Sequence, residues 1–385
     1  MATATGGANG KGAGPVANGA ATEPLEQRVL RDAELLRASL QAHHAPVGLS
    51  PKEIVWTKNK AKLYRYTATA PRTHRTPILI IYALINRPYI LDLAPGNSMI
   101  EFLVGQGFDV FLLDWGVPGP EDRHMRLDDY VFDYIPKAVR KARTISGADE
   151  ITLLGYCIGG TLSTIFTATH PDAGVRNLVL LTTPIDFSEA GLLRMWTKRG
   201  YYDVDKLVDT FGNMPGELID VGSRMLRPLG NVTNYTKLWE NALNDRYVHG
   251  WQAMSKWVND AIPFPGEAFR QWIKEFYQDN KLVKGQLVMG GRRVDLADVH
   301  ASLLMVAADK DHIAPLPGCE PLMEQVSSAD KRFIALPGGH VSIVVGRNAV
   351  KGLWPQLAEW LDARSDDRPA GEAEAALTAS VGSGA

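Results

Sequence analysis

The chain has 385 residues, 45% of them hydrophobic, and a formal net charge of −2. That size and balance suit one large α/β domain with room for an insertion, and they provide no basic footprint for nucleic acid or an anionic membrane surface. Two cysteines, Cys157 and Cys319, cannot frame a disulfide scaffold, and the longest strongly apolar run, 78–85, is far too short to span a bilayer.

Residues 1–22 are rich in Gly, Ala, Thr and Asn and lack the apolar core of a signal peptide. They predict a disordered tail on a cytoplasmic protein. Residues 25–43 predict a helix with Leu25, Val29, Leu36 and Leu40 on one face, expected to pack on the domain rather than to dock a partner. Strand-like stretches follow at 62–68, 78–84 and 109–113, the last two apolar enough for burial on both faces of a parallel sheet. Helices are predicted at 98–106 and 128–146, and a short strand at 151–154. The alternation returns with strands at 177–181 and 302–306, and closes with strand 333–336 and helix 349–363. Strand and helix in turn are the pattern of an α/β fold with a mostly parallel sheet flanked by helices. Residues 188–297 break it. They are helical and aromatic, and hold five of the nine Trp residues: Trp196, Trp239, Trp251, Trp257 and Trp272. This predicts a mainly helical cap inserted into a core made of 23–187 and 298–363, with a disordered tail at 364–385.

The chemistry centres on Gly155-Tyr156-Cys157-Ile158-Gly159-Gly160, which joins a short apolar strand to a helix. Gly-x-Cys-x-Gly in that setting is a nucleophile elbow with cysteine in place of serine, and it places the chain in the α/β-hydrolase fold. Gly155 and Gly159 permit the close approach of strand and helix. The helix start favours thiolate at Cys157, and the backbone N–H of Ile158 points to where an oxyanion forms. A second oxyanion donor is expected from the loop after strand 78–84, at the N–H of Ile85. The elbow requires an acid and then a histidine downstream. His340, in Pro337-Gly338-Gly339-His340 after the last strand, is the expected base. The acid is expected in Asp309-Lys310-Asp311-His312-Ile313-Ala314-Pro315, with Asp311 favoured and Asp309 its rival. His312 is a supporting residue, and Cys319 has no base or elbow and is expected to be inert. His43-His44 is isolated, so no metal is assigned. The lack of a phosphate-cradling Gly-rich loop leaves no cofactor expected. A cysteine that accepts an acyl group from a thioester forms another thioester, so the acyl group stays activated for transfer to a hydroxyl.

Several stretches together carry a family resemblance. They are Tyr82-Ala83-Leu84-Ile85-Asn86-Arg87-Pro88-Tyr89, Leu112-Leu113-Asp114-Trp115-Gly116, Leu127-Asp128-Asp129-Tyr130, the elbow, Thr183-Pro184-Ile185-Asp186-Phe187, Gly212-Asn213-Met214-Pro215-Gly216-Glu217, Phe276-Tyr277-Gln278-Asp279-Asn280, and Pro337-Gly338-Gly339-His340. In that order the sequence resembles the polyhydroxyalkanoate synthases, most closely the class III catalytic subunit. Tyr156, Ile158, 146–149 and 315–319 depart from the class III pattern.

The resemblance implies that Cys157 carries a growing polyester, that His340 deprotonates Cys157 and the attacking hydroxyl, and that Asp311 orients His340. It implies an (R)-3-hydroxyacyl-coenzyme A substrate, in the first place the hydroxybutyryl form. It also implies a second synthase subunit of the PhaE type, a homodimer or hetero-oligomer, and a place at the surface of cytoplasmic polyester granules. A cysteine hydrolase of the dienelactone-hydrolase or thioesterase kind shares the elbow. Asp311 lies 154 residues after Cys157, which leaves room for a cap the small hydrolases lack. A non-catalytic granule-associated protein is the other alternative, and the ordered Cys, Asp and His argue against it.

Overall fold

The computed structural model describes residues 24–228 and 230–366. The predicted tail 1–22 lies outside the described residues, as does all but the start of 364–385. Eleven α-helices of six or more residues occur among the described residues. They are α1 Leu25–Gln41, α2 Met99–Gly105, α3 Ile135–Ser146, α4 Ile158–Thr169, α5 Gly191–Trp196, α6 Val204–Phe211, α7 Gly216–Met225, α8 Gly230–Glu240, α9 Asp245–Val258, α10 Gly266–Gln271 and α11 Trp354–Asp362. The main sheet has eight strands: β1 Lys52–Lys58, β2 Ala61–Tyr66, β3 Ile78–Ile81, β4 Val110–Asp114, β5 Ile151–Tyr156, β6 Val175–Leu181, β7 Ser302–Ala308 and β8 Lys331–Leu336. Their spatial order is β1-β2-β4-β3-β5-β6-β7-β8. Only β2 runs antiparallel to its neighbours. The other pairs are parallel. This is the mostly parallel α/β fold expected from the alternation, with the α/β-hydrolase arrangement expected from the elbow.

The apolar runs explain the middle of the sheet. β3 and β5 are buried along their whole length, and β4 and β7 nearly so, because helices cover both faces. The edge strand β1 escaped the sequence reading. Its charged residues alternate poorly with Ile54, Val55 and Trp56, and a bulge between Ile54 and Trp56 breaks its register with β2. Helix α4 lies under the sheet's centre with all twelve residues buried, five of them Ser or Thr. The fold tolerates this because the hydroxyls bond within the protein. Ser163, Thr164, Thr167 and Thr169 donate to carbonyls four residues back at 2.7–2.9 Å. Thr161 donates to the Pro184 carbonyl at 2.8 Å.

Between β6 and β7 the chain builds the helical lobe α5–α10, which continues through the wide-turn helix Trp272–Gln278. These elements fall within the stretch 188–297. Near its end the chain returns to the core: Gly290 N donates to Asp128 Oδ1 at 2.7 Å, and Arg292 donates to the Thr169 carbonyl at 3.0 Å. At the other end, 364–366 are fastened rather than loose. Arg364 pairs with Asp330 at 2.9 Å, and Arg75 N donates to the Asp366 carbonyl at 2.9 Å.

Helix α1 forms where expected but packs by a different face. Ala38 and Leu35 meet Leu238, Val248, Tyr247 and Trp251 of α8 and α9. Trp239 Nε1 donates to Asp32 at 3.0 Å. The stripe of Leu25, Val29, Leu36 and Leu40 is exposed. The helical period is as expected, but the small Ala38 lets the lobe helices approach, so the neighbouring face is the buried one.

Candidate active site

Cys157 sits at the C-terminal end of β5, one residue before α4, with φ 55° and ψ −124°. A side chain rarely occupies that region, and the strain persists because the surroundings leave no alternative. A Cβ on Gly159 would lie 2.1 Å from the Ile81 carbonyl oxygen, and one on Gly155 would lie 2.4 Å from Gly160 Cα. The strand-to-helix turn is therefore wedged between β3 and its own helix, and the Cys157 N–H is tied to the Leu181 carbonyl at 3.0 Å.

The two partners arrive from the ends of β7 and β8. His340 Nδ1 donates to Asp311 Oδ2 at 2.7 Å. The other carboxylate oxygen of Asp311 accepts from Ile313 N at 2.8 Å and Ala314 N at 3.0 Å, so the group is bonded on both sides. Its side chain is wholly buried, and that of His340 is 10% exposed. Burial alone would pull the imidazolium pKa down. The charges of Asp311 and Cys157, and hydrogen bonds to both, outweigh it and raise His340 to about 10. The structure thus brings Cys157, His340 and Asp311 together. Asp309 is elsewhere in the turn: exposed, it accepts from Gly338 N at 2.8 Å and braces the loop that carries His340. His312 is exposed and touches neither the thiol nor the carboxylate in any contact the structure gives. Cys319 is fully buried, its Sγ 3.7 Å from the Ala314 carbonyl, and burial pushes its thiol far up.

The aromatic setting of the triad was not read from sequence. Tyr156 stacks on Tyr82 at 5.4 Å between ring centroids, and its ring lies 5.3 Å from that of His340. Its hydroxyl donates to the His340 carbonyl at 3.3 Å. Tyr277 reaches the same place from the lobe, and Phe187 and Trp272 pack edge-on against it. Its phenol is held well above the ordinary range, by burial first and then by Cys157 and Asp311. Two of the sequence stretches singled out above meet behind it. Asn280 Oδ1 accepts from Phe187 N at 2.9 Å while its Nδ2 donates to Asp186 at 2.7 Å, which clamps lobe to core.

Two cavities meet at the triad. One, of about 370 Å³, contains Cys157, Ile158 and Ile85 and is walled mainly by apolar side chains, among them Trp196, Leu218, Phe264 and Trp272 of the lobe. Both expected oxyanion donors therefore border the thiol's cavity. The other, of about 420 Å³, borders His340 and is lined by Arg227, Lys310 and His312, with no carboxylate among its lining residues. A larger hollow of about 640 Å³ lies between residues 118–124 and the lobe and contains no nucleophile. Chemically, a thiol beside a base oriented by a carboxylate can carry out acyl transfer through a covalent intermediate.

Comparison with known proteins agrees with this geometry. Residues 76–346 match the family model described as the alpha/beta hydrolase fold. Residues 42–103 match that of the poly-beta-hydroxybutyrate polymerase (PhaC) N-terminus. The chain is 40% identical over 334 residues to the poly(3-hydroxyalkanoate) polymerase subunit PhaC of Haloferax mediterranei, covering 85% of this chain and 68% of that one. It is 40% identical over 329 residues to the subunit of the same description from Allochromatium vinosum, covering 84% and 92%. Among solved structures, a soluble variant of monoglyceride lipase from Saccharomyces cerevisiae superposes with a TM-score of 0.53 at 14% identity, over 83% of this chain and 98% of that one, a likeness of fold alone. By the identity and the extent of these matches, the chain belongs to the PhaC family of poly(3-hydroxyalkanoate) polymerases, on the α/β-hydrolase fold.

Proposed function

We propose that the protein polymerises (R)-3-hydroxyacyl-coenzyme A, with 3-hydroxybutyryl-coenzyme A as first substrate, through a thioester on Cys157. The observation that carries this reading is the meeting of Cys157, His340 and Asp311 beside an apolar cavity in a chain of this family. The Cys157 sulfur adds to the thioester carbonyl carbon, and its proton resides on His340. The N–H groups of Ile158 and Ile85 receive the oxyanion. Collapse breaks the bond to the coenzyme A sulfur, and His340 returns the proton to that leaving thiolate. A hydroxyl of another hydroxyacyl unit then attacks the Cys157 thioester, His340 takes its proton, an ester bond forms and the Cys157 sulfur departs. Exchange between thioesters is nearly balanced, so the acyl group keeps its activation until the hydroxyl arrives. The two cavities suit a division of the substrate: acyl chain and polyester on the apolar side, and the phosphates of coenzyme A toward Arg227, Lys310 and His312. The reading includes the class III assignment, a second subunit of the PhaE type, a homodimer or hetero-oligomer, and a cytoplasmic location at the polyester granule surface.

The test is incubation of the purified protein, with and without a candidate second subunit, with (R)-3-hydroxybutyryl-coenzyme A. Coenzyme A release should accompany insoluble polymer, and Cys157→Ser should lose at least about a hundredfold in rate. Release with only free hydroxy acid as product would make the protein a thioesterase, and a Cys157→Ala variant that polymerised normally would remove Cys157 from the mechanism.

A further inference from the structure

The loop that supplies the second oxyanion donor is held from above by the lobe. Trp257 Nε1, at the end of α9, donates to the Arg87 carbonyl at 2.8 Å. The Tyr89 hydroxyl donates to Asp260 Oδ2 at 2.9 Å. Ile262 N donates to the carbonyl of Ile85 itself at 3.1 Å. Three bonds thus reach residues 85–89 from one six-residue strap, 257–262. The chain just past the strap is tied down in turn. Met214 and Phe264 exchange both backbone bonds at 2.9 Å, and Asn213 accepts from Gly266 N at 3.2 Å while donating to the Gly119 carbonyl at 2.7 Å. On the core side, Trp115 Nε1 donates to the Tyr82 carbonyl at 2.9 Å, three residues before Ile85. The lobe thus holds the stretch that includes Ile85 by three hydrogen bonds.

We propose that Trp257, Asp260 and Tyr89 are positioning residues that hold the Ile85 N–H in oxyanion-binding geometry, so that the oxyanion hole is complete only while the strap is docked on the loop. The inference rests on the acyl-transfer reading above, because only an acyl-transfer step builds an oxyanion there. A donor displaced by about an ångström forfeits much of the hundredfold or greater advantage that such a donor confers.

Tyr89→Phe removes one donor and keeps the ring, and Trp257→Phe removes the indole N–H and keeps a smaller aromatic ring in its place. The readout is the p-nitrophenol burst from p-nitrophenyl acetate, which reports acylation of Cys157 without coenzyme A or polymer. Each variant should acylate about tenfold more slowly at saturating ester, with KM within twofold of wild type. Alkylation of Cys157 by iodoacetamide, a displacement at saturated carbon that forms no oxyanion, should stay within twofold. Asp260→Asn should add little to the loss of Tyr89→Phe, since both act through one bond.

Unchanged acylation in both variants overturns the proposal. So does a parallel fall in alkylation, which would mean general distortion of the site, and so does a rise in KM alone, which would mean lost binding. A wild-type burst without polymer from (R)-3-hydroxybutyryl-coenzyme A refutes the polymerase reading while the variants still decide the clamp. The lack of any Cys157-dependent burst in wild type overturns both.

Discussion

At the scale of single residues, the His340 imidazole has the firmest physical consequence. Its pKa is raised from 6.5 to about 10 because Asp311 and Cys157 outweigh burial. A proton held more tightly in the folded state stabilises that state while the unfolded histidine has its own proton to lose. His340 therefore contributes its full stabilisation below about pH 6.5, and that contribution disappears as pH rises toward 10. Urea unfolding of wild type and His340→Gln should show a gap that is widest at pH 6 and has narrowed markedly at pH 9.5. A gap that widened with pH would mean the imidazole is held neutral. The choice between Asp311 and Asp309 also belongs to this scale. Both stand in the same turn two residues apart, and composition does not separate them. One points inward with both oxygens bonded, while the other braces the Gly338 amide from outside.

Among the elements, the turn from β5 to α4 is the most constrained. Gly159→Ala places a methyl group 2.1 Å from the Ile81 carbonyl oxygen, on a strand paired on both sides. Neither neighbour can retreat, so a loss of about 3 kcal/mol or more is expected in urea unfolding. Gly105→Ala at the end of α2 meets nothing within 4 Å, and the same measurement should show no loss. The contrast separates a glycine required by packing from one that merely ends a helix. The elbow was legible because its requirements are local: a strand run, a Gly-x-Cys-x-Gly turn and a helix within twenty residues. The edge strand β1 was not, since its pairing with β2 overrides a mixed local pattern. The wide turns at Tyr130–Tyr134 and Trp272–Gln278 left no signal in the periodicity either, as one extra residue in a helical turn changes the apolar period very little.

For the whole molecule, the seating of α1 on the lobe supplies a direct check. Leu36 is 61% exposed, so Leu36→Gln should change stability by no more than about 0.5 kcal/mol. Ala38 is fully buried against α8 and α9, so Ala38→Leu should cost about 1–3 kcal/mol in thermal or urea unfolding. Equal effects would show that the stripe of Leu25, Val29, Leu36 and Leu40 is the packed face after all. By itself the sequence determined the α/β-hydrolase fold and the stretches that carry Cys157, the Asp309–Asp311 turn and His340. Each of these is written in short apolar runs and turn residues whose physics acts over a few neighbours. Only the tertiary structure decided which Asp meets His340, which face of α1 is buried, and that Trp257 reaches the Arg87 carbonyl across 170 residues of chain. Those outcomes depend on the closest approach of distant backbones, which no local pattern specifies.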